Sequence, residues 1–245
     1  MILFLMFIQS AVAGLPAGFQ NLHVNIPSSC SLVETPDANT NTSPFKKATL
    51  CADGHFESTT SVMAKVYRIV DGDTIHIDIN GKIFDVRMLG MDTPELHFYS
   101  KAQPKWGAVA RDELAKMVAP GDVVRAEFDQ TKCDKYGRIL VHIFKGSTNI
   151  NLEQVKRGMA ANYCIAPNLH YCDQFAAAYR NAELHQLGMH GDRCVVTPYV
   201  WRRAMMNRSM DKRVKNVITG VTYEPGDYYK VPVADRIFET PDSAE

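Results

Sequence analysis

From Ser61 onward the chain alternates between apolar and polar positions in short runs separated by turn residues. "SVMAKVYRIV" reads as a strand, Asp71-Gly72 as a tight turn, and "TIHIDI" as a second strand with its isoleucines on one face. Asn80-Gly81 is a strong two-residue hairpin signal. In "KIFDVRMLG", Val86, Met88 and Gly90 alternate with Asp85, Arg87 and Leu89, and the run breaks at Pro94. The period then changes. After the loop "LHFYSKAQ", Pro104 occupies a first-turn position, and Trp106, Ala110, Leu114, Met117 and Val118 form one apolar stripe at helical spacing. Pro120-Gly121 ends it. "DVVRAEF" and "RILVHIF" are two further strands joined by "DQTKCDKYG". "NINLEQVKRGMA" predicts a short helix ending at Gly158, and "CDQFAAAYRNAELHQLG" a longer one ending at Gly188.

Five strands, one helix between the third and fourth, and two helices after the fifth predict an α+β fold, mostly β. The strand count fits an OB-type five-stranded barrel with three helices. Residues 61–191 make up this domain. Residues 14–60, rich in Ser, Thr, Asn and Pro, predict an irregular N-terminal extension, and 192–245 a C-terminal extension that wraps the domain or stays loose. The basic run from 202 to 215 reads as a solvated face, with steering of nucleic acid as the alternative.

The start of the chain has an export pattern. Ile2 to Ile8 is unbroken apolar, and Ala11-Val12-Ala13 supplies a small-x-small cleavage signal, so residues 1–13 read as a signal peptide of a secreted or periplasmic protein. The six cysteines agree with an oxidising destination. The nearest local pairings are Cys30 with Cys51 and Cys164 with Cys172, leaving Cys133 with Cys194. Their spacings exclude a zinc ribbon or a CxxC redox pair. Asn41 and Asn207 each begin a formal glycosylation sequon. The formal net charge of the 245 residues is zero, so any anion binding must come from local placement.

Such placement is visible in three clusters at strand ends. Asp71, Gly72, Asp73 and Thr74 lie in the first turn. Arg87 is followed by Asp92, Thr93 and Glu95. Asp134, Lys135, Tyr136, Gly137 and Arg138 open the fifth strand. Asp73 and Asp92 are hard oxygen donors without His or Cys beside them. That suits Ca²⁺, in preference to Mg²⁺, and argues against zinc. Arg87 and Arg138 are planar forks suited to phosphate oxygens. Glu95 is placed to accept a proton from an attacking water or to orient it. A metal and two guanidiniums gathered on one phosphodiester would stabilise the charge that grows in its transition state.

At these residues the chain resembles the staphylococcal nuclease family. "VDGDT", "RMLGMDTPE", "DKYGR" and "NINLEQVKRGMA" match in order and spacing, covering about residues 62 to 190. The resemblance implies Ca²⁺-dependent hydrolysis of DNA and RNA, preferentially single-stranded, leaving 3′-phosphate ends. It implies a monomer with no stable protein partner. Asp73 and Asp92 match the metal carboxylates and Thr93 the carbonyl ligand. Arg87, Glu95 and Arg138 match the catalytic residues, and Asp71 an acidic residue near the metal. Lys135 and Tyr136 match residues beside the nucleotide phosphate. Where the family carries a pair of tyrosines against the nucleotide, this chain has Tyr163 alone. The alternative function is a non-catalytic barrel that binds single strands by stacking.

Overall fold

The computed structural model describes residues 17–19, 22–24, 26–36, 48–52 and 54–239. The proposed leader and Asn41 lie outside the described residues. The predicted meander is present as β1 (Ser61–Ile69), β2 (Thr74–Ile79) and β3 (Lys82–Met88). Asn80 and Gly81 between β2 and β3 have φ of 53° and 81°, the paired positive values that a type I′ turn requires. Further along come β4 (Gly90–Asp92), α1 (Trp106–Met117), β5 (Val123–Cys133), β6 (Ile139–Lys145) and β7 (Thr148–Asn149). Then follow α2 (Ile150–Lys156), β8 (Ala161–Ile165) and α3 (Cys172–Leu184). The chain continues through α4 (Pro198–Met205), β9 (Arg213–Asn216), β10 (Thr222–Tyr223) and β11 (Arg236–Glu239).

β1 pairs with β2 and β5, β2 with β3, and β5 with β6, all antiparallel. β3 also pairs with β6 in parallel, Val86 opposite Ile139 and Arg87 opposite Leu140. That last pairing closes five strands into a mixed barrel, the OB-type architecture expected. Alternation sends Ile75, Ile77, Val86, Ile139, Val141 and Ile143 inward, each fully buried. Each contributes roughly 1.5–3 kcal/mol of hydrophobic stabilisation. The same alternation sends Asp85 and Arg87 outward.

The third predicted strand is broken in two. Gly90, at φ 79°, turns the chain out of the barrel so that β4 pairs with β8 in a second sheet. A Cβ at Gly90 would lie 2.4 Å from the Phe175 ring, so glycine alone fits the corner. Asp92 therefore ends a strand of its own instead of sitting in a free turn.

The C-terminal extension is not loose. β11 adds in parallel to β8 and antiparallel to β9, extending the second sheet in the order β10-β9-β11-β8-β4. This covers an edge of β8 that would otherwise present unpaired backbone groups. A second apolar cluster lies beneath it, with Phe19, Leu22, Leu32, Trp201, Val214 and Phe238.

Two of the expected disulfides are corrected. The bonds are Cys30–Cys194, Cys51–Cys133 and, as expected, Cys164–Cys172. Pairing by nearness in sequence fails because the N-terminal segment is spread across the domain. Thr49 and Cys51 donate their N–H groups to Ile83 and Gly137, which sets Cys51 against the end of β5. Glu34 pairs with Ala102, far from there, and carries Cys30 towards Cys194. Three disulfides are the chemistry of an oxidising compartment. Among the described residues, no helix is long and apolar enough to cross a membrane.

Candidate active site

The β1–β2 turn, the β3–β4 corner and the loop after β4 meet at one mouth of the barrel. In the turn, the Asp71 carboxylate accepts the Asp73 N–H at 3.1 Å. Asp73 is buried, and its carbonyl accepts the Met88 N–H of β3 at 2.9 Å. Its Oδ2 accepts the Thr93 N–H at 2.8 Å across twenty residues of sequence. Asp92 is 1% exposed and Thr93 2%. Arg87, opposite Thr74 in the sheet, reaches between the two aspartates. It ion-pairs with Asp73 and donates through Nη2 to Asp92 Oδ1 at 2.6 Å and to the Met91 carbonyl at 3.1 Å. Both edges of its fork are thus engaged by the carboxylates expected to hold a metal.

Glu95 is fixed through its backbone. Its N–H donates to Gln103 Oε1 at 3.0 Å, and Gln103 Nε2 donates to the Val196 carbonyl at 3.0 Å. Arg138 immediately precedes Ile139, the partner of Val86, so it follows the outward face that carries Asp85 and Arg87. Its Nε and Nη2 both reach Asp134 Oδ2 at 2.7 Å. Lys135 and Tyr136 lie on the same β5–β6 hairpin, and Tyr136 is 68% exposed. Tyr163, on β8 opposite Gly90, turns its ring to Phe238 at 4.8 Å and Tyr199 at 5.7 Å. The structure therefore brings Asp71, Asp73, Arg87, Asp92, Thr93 and Glu95 together. It sets Arg138, Lys135 and Tyr136 on an adjoining hairpin and packs Tyr163 against the C-terminal extension.

The basic run at 202–215 does not form a solvated face throughout. Arg202 of α4 points into the cluster. It donates to Asp92 Oδ1 and Oδ2 at 2.9 Å each and to Glu95 Oε1 at 2.5 Å. Its neighbour Arg203 pairs with Asp211 and the Ser209 carbonyl instead. Sequence reasoning missed Arg202 and Gln103. A signal existed for the arginine. "PYVWRRAM" read at helical period places Arg202 three residues after Tyr199 and next to the buried Trp201, on the covered side of an amphipathic helix.

The electrostatics follow from this crowding. Burial pushes the Asp71 carboxyl well above its usual range, and the charges of Asp73 and Glu95 push it further. Burial also raises Asp73, but Arg87, the Thr93 N–H and Arg202 outweigh it and leave that carboxyl below its ordinary value. Glu95 is raised, first by burial and then by Asp73 and Asp92, against the opposing charge of Arg202. Burial disfavours the charge on Arg87 and on Arg202, yet the surrounding carboxylates hold both firmly protonated.

Among the described residues no three carboxylate, imidazole or thiol groups close around one point to hold a metal by themselves. The donors that are present are oxygens only: two buried carboxylates with the Thr93 backbone beside them, which suits a hard cation. Asp73 and Asp92 share Arg87, and Asp92 and Glu95 share Arg202, so the carboxylate oxygens of the mouth are gathered at one place. A divalent cation of the hard, oxygen-binding kind fits that donor set.

The family described as Staphylococcal nuclease homologue matches residues 85–192. The chain is 33% identical over 144 residues to a thermonuclease of Staphylococcus hyicus, across 59% of this chain and 81% of that protein. It is 34% identical over 141 residues to a thermonuclease of Staphylococcus intermedius, across 56% and 83% respectively. It is 31% identical over 199 residues to the endonuclease YhcR of Bacillus subtilis (strain 168). That match spans 76% of this chain but 16% of the Bacillus protein. With the barrel closed by β3 and β6, and relatives matched over about four-fifths of their own length, the chain belongs to the staphylococcal nuclease homologue family.

Proposed function

We propose that the protein is an exported, sugar-nonspecific nuclease that hydrolyses phosphodiester bonds of DNA and RNA, preferentially single-stranded, as a monomer. It uses Ca²⁺ in preference to Mg²⁺ and leaves 3′-phosphate ends. The observation that carries this reading is the convergence of Asp73, Asp92, Arg87 and Glu95 at one barrel mouth. Its support outside the chain is that the relatives named above are thermonucleases and an endonuclease.

In this reading Asp73, Asp92 and the Thr93 carbonyl hold the cation, with Asp71 close by. When bound, Ca²⁺ supplies positive charge beside the phosphoryl oxygens and the attacking water. Glu95, its pKa lifted by burial, takes the proton of that water. Arg87 and Arg138 donate to phosphate oxygens as the fifth bond forms and negative charge accumulates. Lys135 and Tyr136, exposed on the β5–β6 hairpin, lie along the nucleotide phosphates, and Tyr163 borders the nucleotide.

The test incubates the purified protein with single-stranded DNA in Ca²⁺, Mg²⁺ or EGTA, beside Glu95→Ser and Arg138→Gly. Cutting in Ca²⁺, its loss in EGTA, and a fall of roughly 10²–10³-fold in each variant are expected. Undiminished cutting by either variant refutes the assignment. Oligonucleotide binding in EGTA without shortening under any condition identifies a binding module instead.

A further inference from the structure

The barrel's own residues leave one carboxylate edge open, and a residue from outside the barrel closes it. Asp92 receives Arg87 on Oδ1 at 2.6 Å, and Arg202 takes the remaining positions with a two-pronged contact to Oδ1 and Oδ2 at 2.9 Å each. The same guanidinium bridges to Glu95 at 2.5 Å. A planar fork on a carboxylate is the strongest geometry an arginine offers. It is placed here on one of the two carboxylates assigned to the cation.

The mount is rigid. Trp201, fully buried, donates its indole N–H to the Leu32 carbonyl at 2.6 Å. Gln103 joins the Val196 carbonyl, just ahead of α4, to the Glu95 N–H. The Cys30–Cys194 bond anchors the chain that enters the helix. The side chain of Arg202 can swing about its own torsions, whereas the helix that carries it is tied at three points.

We propose that Arg202 sets the metal affinity of the site: it is a tethered cation that a divalent ion must displace from Asp92 in order to bind. The inference rests on the nuclease reading only for which residues take the cation. The site needs positive charge to keep its carboxylates buried. Arg202 supplies it from within the chain, and a divalent ion with Asp92 oxygens in its coordination sphere competes for the same lone pairs and repels the guanidinium. Removing the guanidinium removes the competitor. A lysine at the position keeps the charge but loses the fork, so it competes less well.

The experiment titrates the full-length, disulfide-bonded protein with Ca²⁺ by calorimetry, using wild type, Arg202→Met, Arg202→Lys and Arg203→Gln. Arg203 lies on the same helix but pairs with Asp211 and the Ser209 carbonyl, so its variant controls for loosening of α4. Arg202→Met should bind Ca²⁺ on the order of tenfold more tightly than wild type, within the usual range of coupling between two sites. Arg202→Lys should fall between them, and Arg203→Gln should match wild type. Equal, weaker or absent binding by folded Arg202→Met overturns the proposal. If that variant does not fold, the Arg202 Nε–H resonance of the wild type decides. It should shift as Ca²⁺ is added, and an unmoved resonance overturns the proposal. Cutting of DNA in Ca²⁺ is scored separately. A wild type that cuts, with affinity unchanged in Arg202→Met, sinks this inference alone. A wild type that binds Ca²⁺ and never cuts sinks the nuclease reading and leaves the comparison of affinities standing.

Discussion

Asn151 is fully buried on α2, and its amide joins three parts of the fold that are distant in sequence. Its Oδ1 accepts the Ile143 N–H of β6 at 2.9 Å, and its Nδ2 donates to the carbonyls of Leu89 at 3.0 Å and Val141 at 3.1 Å. Leu89 lies at the corner where β3 leaves the barrel towards Asp92. Asn151→Ala deletes three hydrogen bonds whose net value is about 1 kcal/mol each. It also leaves the buried Ile143 N–H without this partner, at roughly 1–3 kcal/mol before relaxation, and the half-buried Leu89 carbonyl at less than that. Partial relaxation brings the expected loss to about 3–5 kcal/mol, a large part of the ~5–15 kcal/mol that a domain possesses. Asn151→Leu fills the same volume but provides neither donor nor acceptor, so it should not rescue. The assay is urea unfolding followed by circular dichroism and tryptophan fluorescence, Trp106 and Trp201 reporting on α1 and α4. The midpoint should fall at constant slope. A loss below about 1 kcal/mol, or a leucine variant as stable as wild type, would refute the reasoning that backbone satisfaction at this corner governs stability.

Gly72→Ala would put a Cβ 2.8 Å from both Ala110 Cβ and the Thr93 side chain, displacing the turn that holds Asp73. The expected result is a loss of about 1–3 kcal/mol together with weaker Ca²⁺ binding, read by thermal shift with and without the ion. His142 is buried against Phe175 and Tyr171, and burial lowers its pKa from 6.5 to about 4. The folded value lies below the unfolded one, so this stability is complete above pH ~6.5 and is lost as pH falls from there through ~4. The full effect is on the order of 3 kcal/mol. Urea midpoints at pH 7 and 4.5 should therefore differ less in His142→Phe than in wild type, and an unchanged difference counts against this account. Replacing both Cys30 and Cys194 by serine opens a loop of 164 residues in sequence separation. Chain entropy puts the loss near ~5 kcal/mol as an upper value, and the Trp201 emission should shift to the red at lower urea than in wild type.

Local chemistry wrote the barrel's outline into the chain. The period-two burial of Ile75, Ile77 and Ile79, the Asn80-Gly81 turn and the apolar stripe of α1 depend on neighbours within one turn or one pleat. Short motifs likewise carried Asp73, Arg87, Asp92, Thr93 and Glu95, because each lies within a few residues of a strand end whose direction the pattern determines. The partners of those side chains were settled by tertiary structure. Nothing near Arg87 in sequence says that its fork meets Asp73 as well as Asp92, since that follows from the register of β2 on β3 and the corner at Gly90. Disulfide pairing has no local signature, and the route of residues 26–36 and 48–52 across the domain decided it. Arg202 is the extreme case. Its helix is readable as amphipathic, but 107 residues separate it from Glu95. The packing of Trp201, the Gln103 bond to Val196 and the Cys30–Cys194 disulfide bring that guanidinium to the buried carboxylates, where a charge can remain only beside its opposite.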